Sequence, residues 1–556
     1  METFYHKITV VFLVLIAFVP AWGQEERELG SVSRTYAITN VTIIQSPGRQ
    51  VDGGTLVIKD GLIKSVGKNI AVPPEAIIIK GDSLFVYAGF IDGLSRVGVV
   101  KPREEIREKI KDPGNPPPDR AGISPYVDVR NFLNTADKNI EELRAIGFTT
   151  AHVVPYGGML PGQSAIISLA GKSADDMVLV PVSSLYSELT PNERVYPVTV
   201  IGVMAKWREL YRQAVQAKSY EAVYASNRSG LEPPATNRIL VSFNPVIDKR
   251  IPVLFKAEKF LDIQRVLALQ SDLGFSLLAG DIKEGWDATT KLKASGTKVF
   301  LSLDLPEDKK KDDKKSEEKK DTITVEKDQL EKRKDEFMAK HVGQAFAYQQ
   351  AGISFGFATL SVKTRDIQPN LRRMIKAGLT EDQALAALTI NSAQLLGLSD
   401  RLGSLDPGKI ANVIISERPY FHEKSKVKYV FVEGVPYKLD SKDSKKEESK
   451  IQLEGDWSLT ATTPQGKSES TLNITKTEGK YKGKLSGNQL TETAEVNEIK
   501  LEGRKLNFSC LINVQGQQMK ITIDATVEGD FFKGTVQVEG ADSFPVEGKK
   551  VPKLNR

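Results

Sequence analysis

Ala88-Gly89-Phe90-Ile91-Asp92-Gly93-Leu94-Ser95-Arg96, entered from Leu84-Phe85-Val86-Tyr87, is the stretch whose reading decides the fold. The apolar run leading into Gly89–Ile91 predicts the end of a buried strand. Side chains alternate along a strand, so residues 94 and 96 point the same way. In a barrel of parallel strands that direction leads into the mouth, where active sites sit.

Downstream, helical and strand patterns alternate. Asn139 to Ile146 is amphipathic and stops at Gly147, and the strand Phe148 to Val154 follows. A Gly-rich loop, Tyr156 to Gln163, precedes the strand Ser164 to Leu169. Helices are predicted over Trp207–Ala225 and Leu261–Ser271, and strands over Ile251–Phe255, Phe275–Leu278 and Val299–Leu303. Such alternation predicts a parallel βα barrel. Residues 307–340 interrupt it with dense mixed charge. The part from Glu307 to Asp321 lacks apolar residues to pack and reads as a mobile insertion, whereas Val325 to Ala347 reads as a helix with charged faces.

Short alternating runs broken by glycine fill residues 36–88, and a matching fragment lies at 403–439. Two halves of one small β-domain are therefore expected from opposite ends of the barrel. After a polar linker, residues 451–556 show seven or eight evenly spaced strand patterns separated by Gly and Asn turns, as in a small up-and-down barrel or sandwich.

These stretches resemble the amidohydrolase superfamily, in the manner of imidazolonepropionase and dihydroorotase. Gly89-Phe90-Ile91-Asp92 is similar to the first-strand signature Pro-Gly-Phe-Ile-Asp-x-His-x-His. Gly378-Leu379-Thr380-Glu381-Asp382-Gln383-Ala384-Leu385, Thr389-Ile390-Asn391-Ser392-Ala393 and Gly403-Ser404-Leu405-Asp406-Pro407-Gly408-Lys409 are similar to later ones. Thr380 is placed to cap a helix, with Gln383 completing a capping box. The resemblance implies an α/β fold: a TIM-like (β/α)8 barrel over residues 89–402, a composite β-sandwich built from 36–88 and 403–439, and a separate all-β domain at the C-terminus.

Relatives hold zinc through histidines and an aspartate, and the metal activates water for hydrolysis. Here the positions that the resemblance assigns to ligands carry Leu94, Arg96, Lys256, Ala279 and Leu360, and only His152, His341 and His422 follow residue 23. No bound metal or other cofactor is expected. His152 reads as a hydrogen-bonded core residue, His341 and His422 as solvated. Asp92, Arg96, Lys256 and Asp281 are the candidates for any residual chemistry, with Glu284 nearby. Pairing of the acids with Arg96 or Lys256 is the simpler expectation.

The 556 residues are 40% hydrophobic and 27% charged, and the net charge of +6 forms no nucleic-acid footprint. Residues 1–23 read as a secretory signal peptide, which predicts a periplasmic or secreted protein, and no later run is long enough to span a membrane. The single cysteine, Cys510, rules out an intrachain disulfide. The expected function is a degenerate family member that binds a small molecule or supports an active amidohydrolase paralogue, with homo-oligomerisation as another possibility. The alternative is a hydrolase of carbon–nitrogen bonds with a rewired site.

Overall fold

The structure is a computed structural model that describes residues 35–102, 109–307, 322–439 and 453–551. The last span lacks 464–465, 478–479, 489, 503–504, 515–516 and 539–542. The expected signal peptide, residues 308–321 of the charged insertion and the linker (440–450) lie outside the described residues. The chain divides into two units, residues 1–438 and 439–556.

The first unit opens with β1 (Tyr36–Ser46), β2 (Arg49–Lys59), β3 (Leu62–Gly67), β4 (Ile77–Lys80) and β5 (Phe85–Ala88). Then come β6 (Phe90–Ser95), α1 (Lys138–Ala145), β7 (Phe148–Val153), β8 (Gly162–Ser168), β9 (Val178–Glu188), α2 (Val200–Ser226), β10 (Val253–Lys256), α3 (Phe260–Leu273) and β11 (Leu277–Ile282). The unit continues through α4 (Thr289–Ser295), β12 (Lys298–Ser302), α5 (Thr322–Val342), α6 (Gln344–Gln350), β13 (Phe355–Ala358), α7 (Thr364–Lys376), α8 (Glu381–Leu388) and α9 (Ile390–Leu396). It closes with β14 (Val413–Ser416), β15 (Val427–Val432) and β16 (Val435–Lys438).

Strands β6–β13 form one sheet in the order 13-12-11-10-9-8-7-6. Its edge strands nearly close on each other: the Thr359 N–H, just past β13, donates to Leu94 O on β6 at 3.1 Å. The sheet is not wholly parallel. β8 runs antiparallel to both β7 and β9, because residues 154–161 contain no helix to carry the chain back to the starting end. Helices pack on the outer side, where Trp207 of α2 is fully buried among Tyr211, Phe243, Phe255 and Phe275. Its indole N–H donates to Ser187 Oγ at 2.9 Å. The expected capping box is present at α8: the Gln383 N–H donates to Thr380 Oγ1, and the Thr380 N–H to Gln383 Oε1, each at 3.2 Å. The helix expected over 325–347 is two helices, α5 and α6, which part at Gly343.

Strands β1–β5 and β14–β16 form a second sheet drawn from both ends of the unit, in which β14 pairs β5. The sheet is one hydrogen-bonded surface rather than two stacked ones. It rolls so that Ile63 of β3 meets the loop before β14, with the Ile63 N–H donating to Lys409 O at 2.8 Å.

The second unit is a closed antiparallel barrel of β17 (Gly455–Thr463), β18 (Gly466–Thr477), β19 (Lys480–Gly487), β20 (Ala494–Glu502), β21 (Lys505–Val514), β22 (Gln517–Glu528), β23 (Phe531–Val538) and β24 (Ser543–Lys550). Each strand pairs with the next, and β24 closes on β17. Buried Trp457 packs on Phe532, ring centroids 5.4 Å apart, and its indole N–H donates to Leu453 O. Among the described residues no helix is long and apolar enough to cross a membrane.

Candidate active site

Alternation along β6–β13 sends one set of side chains toward the helices and the other into the bore. The bore set packs as one apolar cluster of Leu94, Val154, Tyr186, Leu254, Leu278, Phe300 and Ala358, with Leu360 against it. Two glycines make room for it. A Cβ on Gly93 would fall 1.9 Å from Phe300 Cδ1, and one on Gly280 would fall 2.6 Å from Leu94 Cδ2. Burying Leu94 and Phe300 contributes about 1.5–3 kcal/mol each. Ala279 does not face the bore: it packs in the outer cluster with the helices, while its neighbours Leu278 and Gly280 face inward. The residue-by-residue placement of Ala279 at a ligand position is therefore displaced at β11. The strand loses regular pairing with β12 between Ala279 and Ile282, where Asp281 adopts φ +56°.

One alternation step beyond the plug, charged side chains ring the mouth. Arg96 Nη2 donates to Glu188 Oε1 at 2.7 Å, and the Tyr186 hydroxyl donates to the same oxygen at 2.9 Å. Thr190 Oγ1 donates to the other oxygen of Glu188 at 3.0 Å. The Arg96 guanidinium lies 4.5 Å from the centre of the Tyr156 ring, a cation–π stack. Across the ring, Lys256 Nζ lies 3.3 Å from Glu258 Oε2. Lys283 Nζ bridges Glu258 at 3.0 Å and Asp304 at 2.8 Å. Burial opposes charge on Lys283, yet its bonds to Asp304 and Glu258 win and hold its pKa above the usual lysine value. Burial likewise opposes charge on Glu258, and the two lysines win, lowering its pKa.

The expected pairing of Asp92 or Asp281 with Arg96 or Lys256 is not what forms: glutamates on β9 and just beyond β10 take both cations. Asp92 is fully buried and works at the seam of the sheet. Its Oδ1 accepts from the Leu94 N–H at 3.2 Å and the Thr359 N–H at 3.0 Å, and its Oδ2 accepts from the Thr359 hydroxyl. Burial pushes its pKa up to about 7, against these hydrogen bonds. Asp281 is also fully buried. Ser361 Oγ donates to its Oδ2 at 2.6 Å, while Oδ1 has no hydrogen bond among the described residues. Burial raises its pKa as well. Glu284 sits beside the ring, half-buried, its N–H donating to Glu258 O at 2.9 Å.

His152 is a buried core residue, as its place in a strand predicts. Its Nδ1–H donates to Gly93 O at 3.2 Å, leaving Nε2 to accept from Ser164 at 2.8 Å and Ser183 at 2.9 Å. Burial lowers its pKa to about 4, so the ring is neutral. His422 is exposed, as expected. His341 is not solvated: it is 6% exposed, wedged between Trp286 and Phe337. Burial, reinforced by Lys283, lowers its pKa to about 4. The charge around it in sequence hid this contact, because those charges lie on the other faces of α5.

These residues do not fit a catalytic zinc. The bore offers hydrocarbon where a metal needs imidazole or carboxylate. Among the described residues no three His, Cys, Asp or Glu side chains converge. Asp92, Glu188, Glu258, Asp281 and Asp304 are each engaged with a lysine, an arginine or a hydroxyl. What remains open is a cleft of about 790 Å³ above the Arg96–Glu188 pair, whose lining includes Lys101, Arg120, Phe132 and Tyr156. Sequence reading passed over Tyr156, Tyr186, Glu188 and Glu258. The one available signal was spacing, since Glu258 follows Lys256 by two residues.

Residues 276–437, from β11 to the end of the unit, match the family model described as Amidohydrolase family. Over that stretch the chain is similar to the amidohydrolase family. No curated protein matches it. Among solved structures, an amidohydrolase from Thermotoga maritima MSB8 superposes with TM-score 0.59 at 21% identity, covering 73% of this chain and 100% of its own. A prolidase complexed with N-methylphosphonate-L-proline gives 0.42 at 14%, covering 73% and 100%. Phenylurea hydrolase B gives 0.40 at 14%, covering 72% and 96%. The first likeness is one of fold. This chain shares that fold over its first unit and fills the bore of the β6–β13 sheet with apolar side chains.

Proposed function

We propose that the first unit is a TIM-like barrel that works without metal and without hydrolysis, binding a small carboxylate-bearing molecule in the mouth cleft. The observation that carries this reading is the apolar plug from Leu94 to Phe300 directly beneath Arg96. The plug removes the place for an activated water, and the guanidinium above it lines the cleft. Arg96 Nε is buried and without a hydrogen-bond partner among the described residues. A guanidinium presents a planar fork that suits a carboxylate, and Tyr156 fixes its plane. Lys101 and Arg120 share the cleft wall with the acids Asp119 and Glu188. Export, and association with an active paralogue or a second copy, belong to the same proposal.

Rewired hydrolysis of carbon–nitrogen bonds is the second reading, favoured by Asp281. A buried carboxyl with raised pKa, left-handed backbone and one unpartnered oxygen is the kind of group found at catalytic centres. Its complete burial stands against substrate access.

Titration calorimetry of the purified chain with a panel of N-acyl amino acids and short dicarboxylates separates the readings. At least one ligand should bind with a Kd on the order of micromolar, weakened about tenfold or more by Arg96→Ala, with no product in a parallel mass-spectrometric assay. Turnover of any amide in the panel, abolished by Asp281→Asn, would establish the second reading instead.

A further inference from the structure

The second unit contains a cavity of about 420 Å³ inside its closed barrel, and its walls are unequal. One end of the bore is full: Trp457 and Phe532 pack together there, and a Cβ on Gly548 would fall 2.2 Å from the Phe532 ring. Toward the other end, inward positions on β21–β23 still carry large aliphatics, Ile512, Met519, Ile521 and Val536 among them. The facing positions on β17–β19 carry Ala461, Ser468, Ser470 and Gly487. Strand alternation makes these inward choices. Ala461 continues the inward series Trp457 and Leu459, and Ser470 and Ser468 continue Ile474 and Leu472. Small residues on one wall opposite large ones on the other leave a void that side-chain packing does not fill.

We infer that this barrel binds an apolar small molecule with one polar end, its body in the cavity and its polar end at the hydroxyls of Ser468 and Ser470. The volume is in the range of small-molecule sites and accommodates roughly 15–20 non-hydrogen atoms. The deep wall is built from Leu459, Leu485, Ile523 and Val546, all at most 3% exposed. Such a surface gives water few hydrogen-bond partners and an alkyl or aryl body many contacts. The rim residues Ile512, Val514, Met519, Val538 and Phe544 are half-buried rather than sealed, so the cavity has an entrance. The inference concerns the second unit alone and does not depend on the reading of the first.

The test is titration of the full chain with N-phenyl-1-naphthylamine, a neutral probe of matching size that fluoresces on leaving water. One saturable site per chain is expected. Ala461→Phe and Ser470→Leu, which fill the void from the small-residue wall, should each weaken it about tenfold or more. Leu511→Ser, on the exposed outer face of β21, should leave it unchanged. Hydrogen exchange on the wild-type chain gives a reading that needs no variant: the probe should slow exchange in β17, β18, β21 and β22. No saturable fluorescence, loss of binding in Leu511→Ser, or protection confined to the first unit would each overturn the inference.

Discussion

The β6–β13 sheet of the first unit and the closed barrel of the second, each of eight strands, solve the same packing problem in opposite ways. In the first unit, glycines at 93 and 280 yield space to Phe300 and Leu94, and the bore is solid. In the second, Ala461, Ser468, Ser470 and Gly487 yield space to nothing, and about 420 Å³ is left. The frame that family resemblance associates with chemistry has its centre filled, and the frame without such an association has its centre open. A shared fold thus fixes the strands and their connections, while the side chains at the inward positions decide what the interior can hold.

The sharpest way to break this comparison is to truncate one phenylalanine in each interior. Phe300→Ala leaves a void inside a closed plug and should destabilise the first unit by about 3–5 kcal/mol. Phe544→Ala, on the half-buried rim of the second barrel's cavity, should cost about 1 kcal/mol because the wall there is already incomplete. Denaturant melts followed separately in the two units would decide it, and equal losses would mean that the bores are packed alike.

The next effect concerns the seam that closes the first sheet. The pKa of Asp92 rises from 3.8 to about 7 on folding. The folded state therefore holds the proton more tightly than the unfolded state, and the contribution of Asp92 is full below pH 4 and is lost as pH rises through 7. Asn in its place resembles the protonated acid. Relative to wild type, Asp92→Asn should gain about 1–3 kcal/mol between pH 4.5 and pH 8. A difference that stays flat over that range would show that Asp92 is ionised in its hydrogen-bonded setting throughout.

The smallest effect sharpens the contrast from the other side. Ala461→Phe adds side-chain volume where space exists, so it should change the stability of the second unit by less than about 1 kcal/mol in either direction. Overpacking of a full core would instead cost about 1–3 kcal/mol, readable as a clear drop in Tm.

Much of the first unit's frame was legible because its signals are local. The apolar entry to Phe90, the Thr380–Gln383 box and the β-fragments near 36–88 and 403–439 each announce an element from a few adjacent residues. The direction of β8 was not legible, since it depends on a loop without a helix, and a Gly-rich loop fits either direction. The inward register at β11 was not legible, since Leu277, Leu278 and Ala279 are all apolar and such a run fits either register; Leu278 and Gly280 rather than Ala279 face the bore. Charge partners failed for a related reason: Arg96 and Glu188 are far apart in sequence and meet only because β6 and β9 end at the same mouth. His341 was misjudged because neighbouring charges spoke for the helix as a whole, whereas Trp286 and Phe337 bury the one face it occupies. In the second unit the strands were readable, and the cavity was not. A void is a sum over eight inward faces, and no single strand contains it.

Metal content measures the filled bore of the first unit most directly. The chain should be expressed in medium containing zinc, dialysed without chelator and analysed by inductively coupled plasma mass spectrometry. It should carry well under about 0.1 zinc per chain, because Leu94, Leu254 and Phe300 fill the bore with hydrocarbon that offers a metal no ligand. One or two tightly held metal ions per chain, released when Asp281 or Glu258 is changed to alanine, would contradict it.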